Sequence, residues 1–284
     1  MTDKKIVFIG SRFNVLEQLL ECETISNIKI YALAESLLEK ILKGKQMPFN
    51  SFSTENRKSF MEYLLQLDFD ILISNGCPII FPVQKFKEHQ ILINVHPTYL
   101  PYLQGKTPLN GVFYSKYDFY GATMHYIDKG IDTGDIIFQK KHNLTSDIDL
   151  GLLYHLAMKL EGTVFKHGWN MLKEANFNYI GKKQEGEASY FNREPSMQII
   201  DFKTQKTDDL LVAIKSFGIE TQGVFSTING NKYKIIEAEK IIHEPLLSMY
   251  SNAQPGNIIL NYDQKLLVKT IDGIIKMTRF NIVS

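Results

Sequence analysis

The 284-residue chain has little cysteine: Cys22 and Cys77 are all of it. That leaves no disulfide framework and no paired-cysteine zinc spacing, and it suits a reducing, cytoplasmic setting. The seven histidines are scattered, none at the i, i+4 spacing of a helical metal site, so no metal is expected. No run of eighteen apolar residues occurs, so neither a membrane-spanning helix nor a membrane partner is expected. Met1-Thr2-Asp3-Lys4-Lys5 passes straight into a short apolar run, without the longer apolar region of a signal peptide. Neither sign of charge dominates: 32 Lys and Arg face 31 Asp and Glu, for a net charge of +1. The electrostatic footprint of a nucleic-acid binder is missing, and no nucleic acid is expected as a partner. Glycine is scarce where a dinucleotide site needs it, since Gly10 alone follows the first strand in place of G-x-G-x-x-G. The G-x-S-x-G nucleophile elbow is absent as well.

What is present is a soluble globular composition, 44% hydrophobic and 22% charged. Residues 5–10 read as a strand, 10–12 as a turn and 15–22 as the start of a helix, with Leu16, Leu19 and Leu20 apolar. Strands follow at 28–33, 70–74 and 91–95, with helical segments at 34–42 and 56–67 between them. This alternation predicts an α/β protein with a doubly wound, Rossmann-like sheet. Residues 122–127 and 136–141 read as further strands, and 146–174 as a long helix with Ser146 as its N-cap. Composition turns polar at 181–186. Beyond Met197 the pattern becomes short strands at 224–228, 233–236, 258–260, 265–270 and 273–280, with hairpin signals at Asn229-Gly230 and Asp272-Gly273. We therefore expect a larger α/β domain over 1–180, a linker and loop over 181–196, and a smaller β-rich domain over 197–284.

The most informative stretch is 91–136. Asn94 and His96 stand two residues apart on one face of a strand that Pro97 ends. Open α/β sheets bind ligands at the carboxyl ends of their strands. A turn asparagine beside a structural histidine is the plainer reading of those two residues taken alone. The wider order is more specific: Asn94-Val95-His96-Pro97, Leu100-Pro101, Gly105, Pro108, Gly121-Ala122-Thr123-Met124-His125, then Asp132-Thr133-Gly134-Asp135-Ile136. This succession resembles the formyltransferase family that uses 10-formyltetrahydrofolate, well over about residues 1–200 and loosely beyond.

The resemblance implies the formyltransferase fold, 10-formyltetrahydrofolate as formyl donor and Asn94, His96 and Asp132 as the catalytic trio. It also implies that the pterin lies against the backbone of Pro78, Ile79, Ile80 and Phe81 on one side. Asp128, Gly130 and Ile131 of the 128–132 loop form the other. Core packing is the ordinary use of Ile79 and Ile80, and both uses are compatible. The chemistry suits the trio. Formyl transfer to an amine develops an oxyanion that an amide N–H stabilises, and it releases a proton that an imidazole takes near neutral pH. Asp132 would orient the imidazole, stabilise its cation or relay the proton. His125 reads as structural and Asp135 as a loop cap.

Tyr190-Phe191-Asn192-Arg193 resembles an element of the sugar N-formyltransferases. The expected acceptor is therefore a nucleotide-linked amino sugar, with dTDP-4-amino-4,6-dideoxyglucose for surface polysaccharide (O-antigen) synthesis as first choice. The 3-amino-3,6-dideoxyhexose is the second. Ser11 and Arg12 at the first turn, Lys106, Tyr190 and Arg193 are the candidate substrate contacts. Methionyl-tRNA formyltransferase is the next alternative. Residues 203–284 hold ten Lys or Arg against eight Asp or Glu, a small surplus for gripping tRNA. A non-catalytic nucleotide-sugar-binding protein is the alternative from another class, and retention of the whole trio argues against it. A homodimer is expected.

Overall fold

The computed structural model describes residues 4–283. They divide into two compact units, Met1–Pro108 with Phe119–Asn143 and His155–Phe191, and Leu109–Asp118 with Leu144–Tyr154 and Asn192–Ser284.

The first unit is built on a sheet whose strands alternate what they bury. In β1 (Ile6–Gly10), Ile6 and Phe8 enter one core and Val7 and Ile9 the other. In β2 (Ile28–Leu33), Ile30 and Ala32 go one way and Tyr31 the other. This two-residue period, apolar on both sides, is that of parallel strands covered on both faces. One face packs α1 (Asn14–Cys22) and α2 (Leu37–Gly44) through Val15, Leu16, Leu19, Leu38 and Leu42. The other, reached through the short β3 (Asn50–Phe52), packs α3 (Arg57–Gln66) through Phe60 and Leu64. Along the chain then come β4 (Ile71–Asn75), β5 (Ile91–His96), α4 (Pro108–Tyr114), which from Leu109 belongs to the second unit, β6 (Phe119–Tyr126), β7 (Ile136–Asn143) and α5 (Leu150–Glu174), which joins the first unit from His155. Leu160, Val164, Phe165, Trp169 and Leu172 of α5 complete the first core.

Among the described residues this sheet has seven strands in the order β3-β2-β1-β4-β5-β6-β7. From β3 to β5 the strands are parallel; β6 and β7 are antiparallel additions. The doubly wound expectation holds, and the hairpin of β6 and β7 makes the sheet mixed. The order reverses between β1 and β4, which places the switch point at Gly10 and Asn75. There a Cβ on Gly10 would stand 2.2 Å from the Asn75 carbonyl oxygen, so only glycine lets the strand ends approach.

Some boundaries move. α2 begins at Leu37 rather than Ala34, because the Ser36 side chain accepts the Glu39 N–H and caps it. α5 begins at Leu150 rather than after Ser146, with Asp149 Oδ1 accepting the Leu152 N–H at 2.8 Å. The second unit contains a helix the strand-rich reading omitted, α6 (Thr207–Phe217). Its Leu210, Ala213, Ile214 and Phe217 pack on β8 (Val224–Ile228) and β9 (Asn231–Lys240). A short α7 (Glu244–Met249) precedes β10 (Ile258–Tyr262), β11 (Lys265–Lys269) and β12 (Ile274–Val283). The five described strands of this unit run β10-β11-β12-β9-β8, all antiparallel. Among the described residues no helix is long and apolar enough to cross a membrane. Nor do three His, Cys, Asp or Glu side chains converge as a metal site would require.

Candidate active site

β5 presents Asn94 and His96 at its carboxyl end. β6 runs antiparallel beside it, with Asn94 opposite His125 and His96 opposite Thr123. The chain then turns through residues 127–135 into β7, and this turn carries Asp132 at φ +57°. One ladder therefore brings together groups nearly forty residues apart in sequence.

The hydrogen bonds assign the imidazole tautomers. His96 Nε2 lies 3.0 Å from the Leu103 carbonyl oxygen. A carbonyl only accepts, so Nε2 carries the hydrogen and Nδ1 is the basic nitrogen, 3.5 Å from Asp132 Oδ2. His125 Nδ1 lies 2.8 Å from the Tyr126 carbonyl and is protonated by the same argument. Its Nε2 then accepts from Asn94 Nδ2 at 3.2 Å. Asn94 Nδ2 also donates to Asp132 Oδ1 at 3.2 Å. Both amide hydrogens of Asn94 are thus engaged at rest, and one must be exchanged before the amide can serve a developing oxyanion. Gly105 donates its N–H to Asp132 Oδ2 at 3.0 Å from a backbone at φ +112°, a conformation that calls for glycine.

His96 is 4% exposed. Burial pushes its pKa below the ordinary value; the Asp132 charge and the Leu103 bond oppose this without reversing it. Burial alone would raise Asp132. The two histidines, when protonated, and the Gly105 N–H instead hold it well below the usual carboxylate range. With His96 neutral, the attraction from that side weakens, and the hydrogen bonds from Gly105 and Asn94 still keep the carboxylate ionised. The resting site is therefore a neutral base facing a carboxylate. Cys77 lies nearby, but burial pushes its thiol up to about 12, so it is no thiolate nucleophile.

These groups open onto a cavity of ≈ 320 Å³. Its walls include Asn94, His96, Asp132, all of Pro78, Ile79, Ile80 and Phe81, and Asp128, Gly130 and Ile131. Arg12, Lys106 and Tyr190 also line it. Residues 77–82 are neither helix nor strand, so their peptide groups are not committed to a ladder. Leu33, Ile79, Ile127 and Ile131 add apolar surface. A flat heteroaromatic ring with polar edges fits such a cleft. Ser11 is not in the lining; its hydroxyl donates to the Gly76 carbonyl at 2.7 Å. Arg193 is exposed and belongs to the second unit. His125, read from the sequence as structural, stands inside the site.

A buried polar cluster adjoins the cavity. Glu161, on the apolar stripe of α5 and fully buried, receives Arg12 Nη1 at 2.5 Å and Asn75 Nδ2 at 3.0 Å on its Oε1. Burial pushes its pKa up to about 7 despite Arg12. Among the described residues, no partner reaches Glu161 Oε2 or Asn75 Oδ1. Arg12, a candidate substrate contact at the first turn, is thus anchored on Glu161 while it lines the cavity, with its side chain 18% exposed.

Comparison with known proteins agrees with this geometry. Residues 29–167 match the family described as formyl transferase, and residues 193–282 match the formyl transferase C-terminal domain. Methionyl-tRNA formyltransferase of Caldanaerobacter subterraneus subsp. tengcongensis is 25% identical over 230 residues, 79% of this chain and 70% of that one. Among solved structures, the N-formyltransferase of Helicobacter canadensis with folinic acid and dTDP-3-aminofucose superposes with a TM-score of 0.70 at 21% identity. The match covers 98% of this chain and 100% of that one. HypX of Aquifex aeolicus with tetrahydrofolic acid gives a TM-score of 0.67 at 15% identity over all of this chain, which spans 45% of HypX. The two family matches together span most of the chain and enclose the Asn94, His96 and Asp132 ladder: the chain belongs to the formyltransferase family, enzymes whose formyl donor is 10-formyltetrahydrofolate.

Proposed function

We propose that this enzyme formylates the amine of a nucleotide-linked amino sugar. The observation that carries the reading is the cavity itself: beside the neutral base it places Arg12 and Lys106 with the aromatic ring of Tyr190. Two cations and a ring suit a sugar diphosphate, where a charge-assisted contact contributes about 1.5–3 kcal/mol. Supporting it, the Helicobacter canadensis protein that aligns end to end with this chain is named with a dTDP-amino sugar. That name favours a 3-amino sugar over the 4-amino isomer expected first from the sequence.

Bound 10-formyltetrahydrofolate supplies an electrophilic formyl carbon. Pro78 to Phe81 and the 128–132 loop would hold its ring system. His96 Nδ1 would take the proton that the acceptor amine releases as its nitrogen bonds the formyl carbon, and Asp132 would stabilise the imidazolium. His96 would return that proton to the tetrahydrofolate nitrogen that leaves as the old carbon–nitrogen bond breaks. Asn94 exchanges one of its resting hydrogen bonds for one to the developing oxyanion. His125 accepts from the Asn94 amide and so fixes which way that amide faces.

The test incubates enzyme and 10-formyltetrahydrofolate with dTDP-, UDP- and GDP-linked 3-amino and 4-amino sugars. Mass spectrometry then reads the gain of one CO per amine. No gain with any of these acceptors overturns the reading. A second reading, formylation of methionyl-tRNA, is favoured by the sequence relatives. Charged initiator tRNA is therefore included, and a rate on it above every sugar establishes that reading instead.

We infer a homodimer. The second unit leaves Ile242, Met249 and Ile282 at 79%, 72% and 63% exposure, and β10 is an edge strand of its sheet. Light scattering at micromolar concentration is expected to give twice the 32.7 kDa of one chain; a mass of one chain overturns it.

A further inference from the structure

We propose that Gln184 is a positioning residue for formyl transfer, clamping the loop that carries Asp132 and setting its distance from His96. Gln184 Nε2 donates to the carbonyl oxygens of Asp132 at 2.8 Å and Gly134 at 2.9 Å. Gln104 Nε2 reaches the same Asp132 carbonyl at 3.2 Å and the Gln184 Oε1 at 3.4 Å. Asp132 sits at positive φ, a conformation a non-glycine residue keeps only where its surroundings hold it. The paired glutamines supply that hold from outside the loop.

The segment bearing Gln184 also reaches the other half of the site. At one end Lys182 exchanges backbone hydrogen bonds with Ile136, at 2.7 and 2.8 Å. At the other, Gln104 donates to the Ser189 carbonyl and accepts from Phe191, both at 2.8 Å, while Leu103 N–H donates to Ser189 Oγ at 2.9 Å. Leu103 is the residue whose carbonyl fixes the His96 tautomer. Residues 182–191 therefore strap the loop that orients the base to the loop that carries its carboxylate. Tyr190, between those anchors, lines the cavity. The strap is a built connection between two halves of one catalytic geometry.

The titratable and charged groups that bear on His96 are Asp132, His125 and Arg12, of which Asp132 alone favours the imidazolium. Moving Asp132 away while His96 stays buried removes the one charge that favours the imidazolium and lowers the His96 pKa further. The experiment titrates His96 by NMR in wild type, Gln184→Ala and Gln184→Glu, alongside steady-state kinetics and thermal melts. In Gln184→Ala the His96 titration moves to lower pH. The kcat falls about ten- to a hundredfold, the cost of a misplacement near 1 Å, with KM for folate within about twofold. Gln184→Glu is worse, since its carboxylate confronts two carbonyl oxygens. A folded Gln184→Ala whose His96 titration is unmoved overturns the proposal, whatever its kcat. Because the titration needs no acceptor, failure to find the sugar and failure of the clamp remain separate results.

Discussion

Replacing His96 with asparagine lowers kcat by on the order of 10²-fold or more, while KM for both substrates moves little. The argument rests on which nitrogen is free. Nε2 is engaged with the Leu103 carbonyl, so the proton from the attacking amine arrives at Nδ1, beside Asp132. An asparagine offers no basic nitrogen at the Nδ1 position, and the loss falls on the transition state. The pH dependence follows the same group. Burial keeps the imidazole pKa below its ordinary value, so the base form is complete at neutral pH. The acidic limb of kcat then falls below the usual histidine range, about 6.5. Steady-state kinetics from pH 5 to 8 on both proteins, with melts to confirm folding, check the result. Near wild-type kcat in the folded variant removes His96 from the role of base.

Glu161→Gln removes a pH dependence of stability on the order of 3 kcal/mol between pH 5 and pH 8. The carboxyl titrates at about 7 in the folded protein and near 4.3 in an unfolded chain. The folded state holds the proton more tightly. The stability this group contributes is complete below the unfolded pKa and is lost as pH rises through 7. Glutamine keeps the shape and the Asn75 contact and cannot titrate. His96 works in the opposite sense over part of the window, since its folded pKa is depressed, and it does so in both proteins. Its contribution cancels in the comparison. Asp132 lies well below the usual carboxylate range, and its contribution disappears only under more acid conditions. Urea midpoints at pH 5 and 8 for wild type and variant provide the measurement. Equal pH dependence in the two would show that Glu161 stays ionised throughout, held by Arg12.

Much of this architecture is legible in sequence because it is periodic or punctuated. The alternation of Ile6, Val7, Phe8 and Ile9 announces a strand covered on both sides, and β2 is read at its observed ends. The order of the motifs from Asn94 to Asp132 singles out three groups that the structure sets side by side. α4 is not legible, since it is only seven residues long and carries Gly111 in its interior. α6 does carry a signal in Leu210, Ala213, Ile214 and Phe217, one helical face with acidic residues in its first turn, which the strands around it outweighed. Glu161 could have been found as a carboxylate four residues after Ala157 on an apolar stripe, a costly placement without a partner. Gln104 and Gln184 could not. An amide that bonds to a carbonyl some fifty residues away has no local period, and only the folded chain shows what it holds.

The order in which the chain is made gives the strap a meaning of its own. A growing polypeptide leaves the ribosome from its N-terminus at about 5–20 residues each second, and folding follows emergence. Asn94, His96 and Asp132 emerge early, whereas Gln184 and the pairing of Ser189 and Phe191 with Gln104 follow only after the whole of α5. A partly synthesised chain can hold all three reactive groups while lacking the span that sets their spacing. On the clamp proposal, competence would be conferred late, by a stretch with no reacting atom in it.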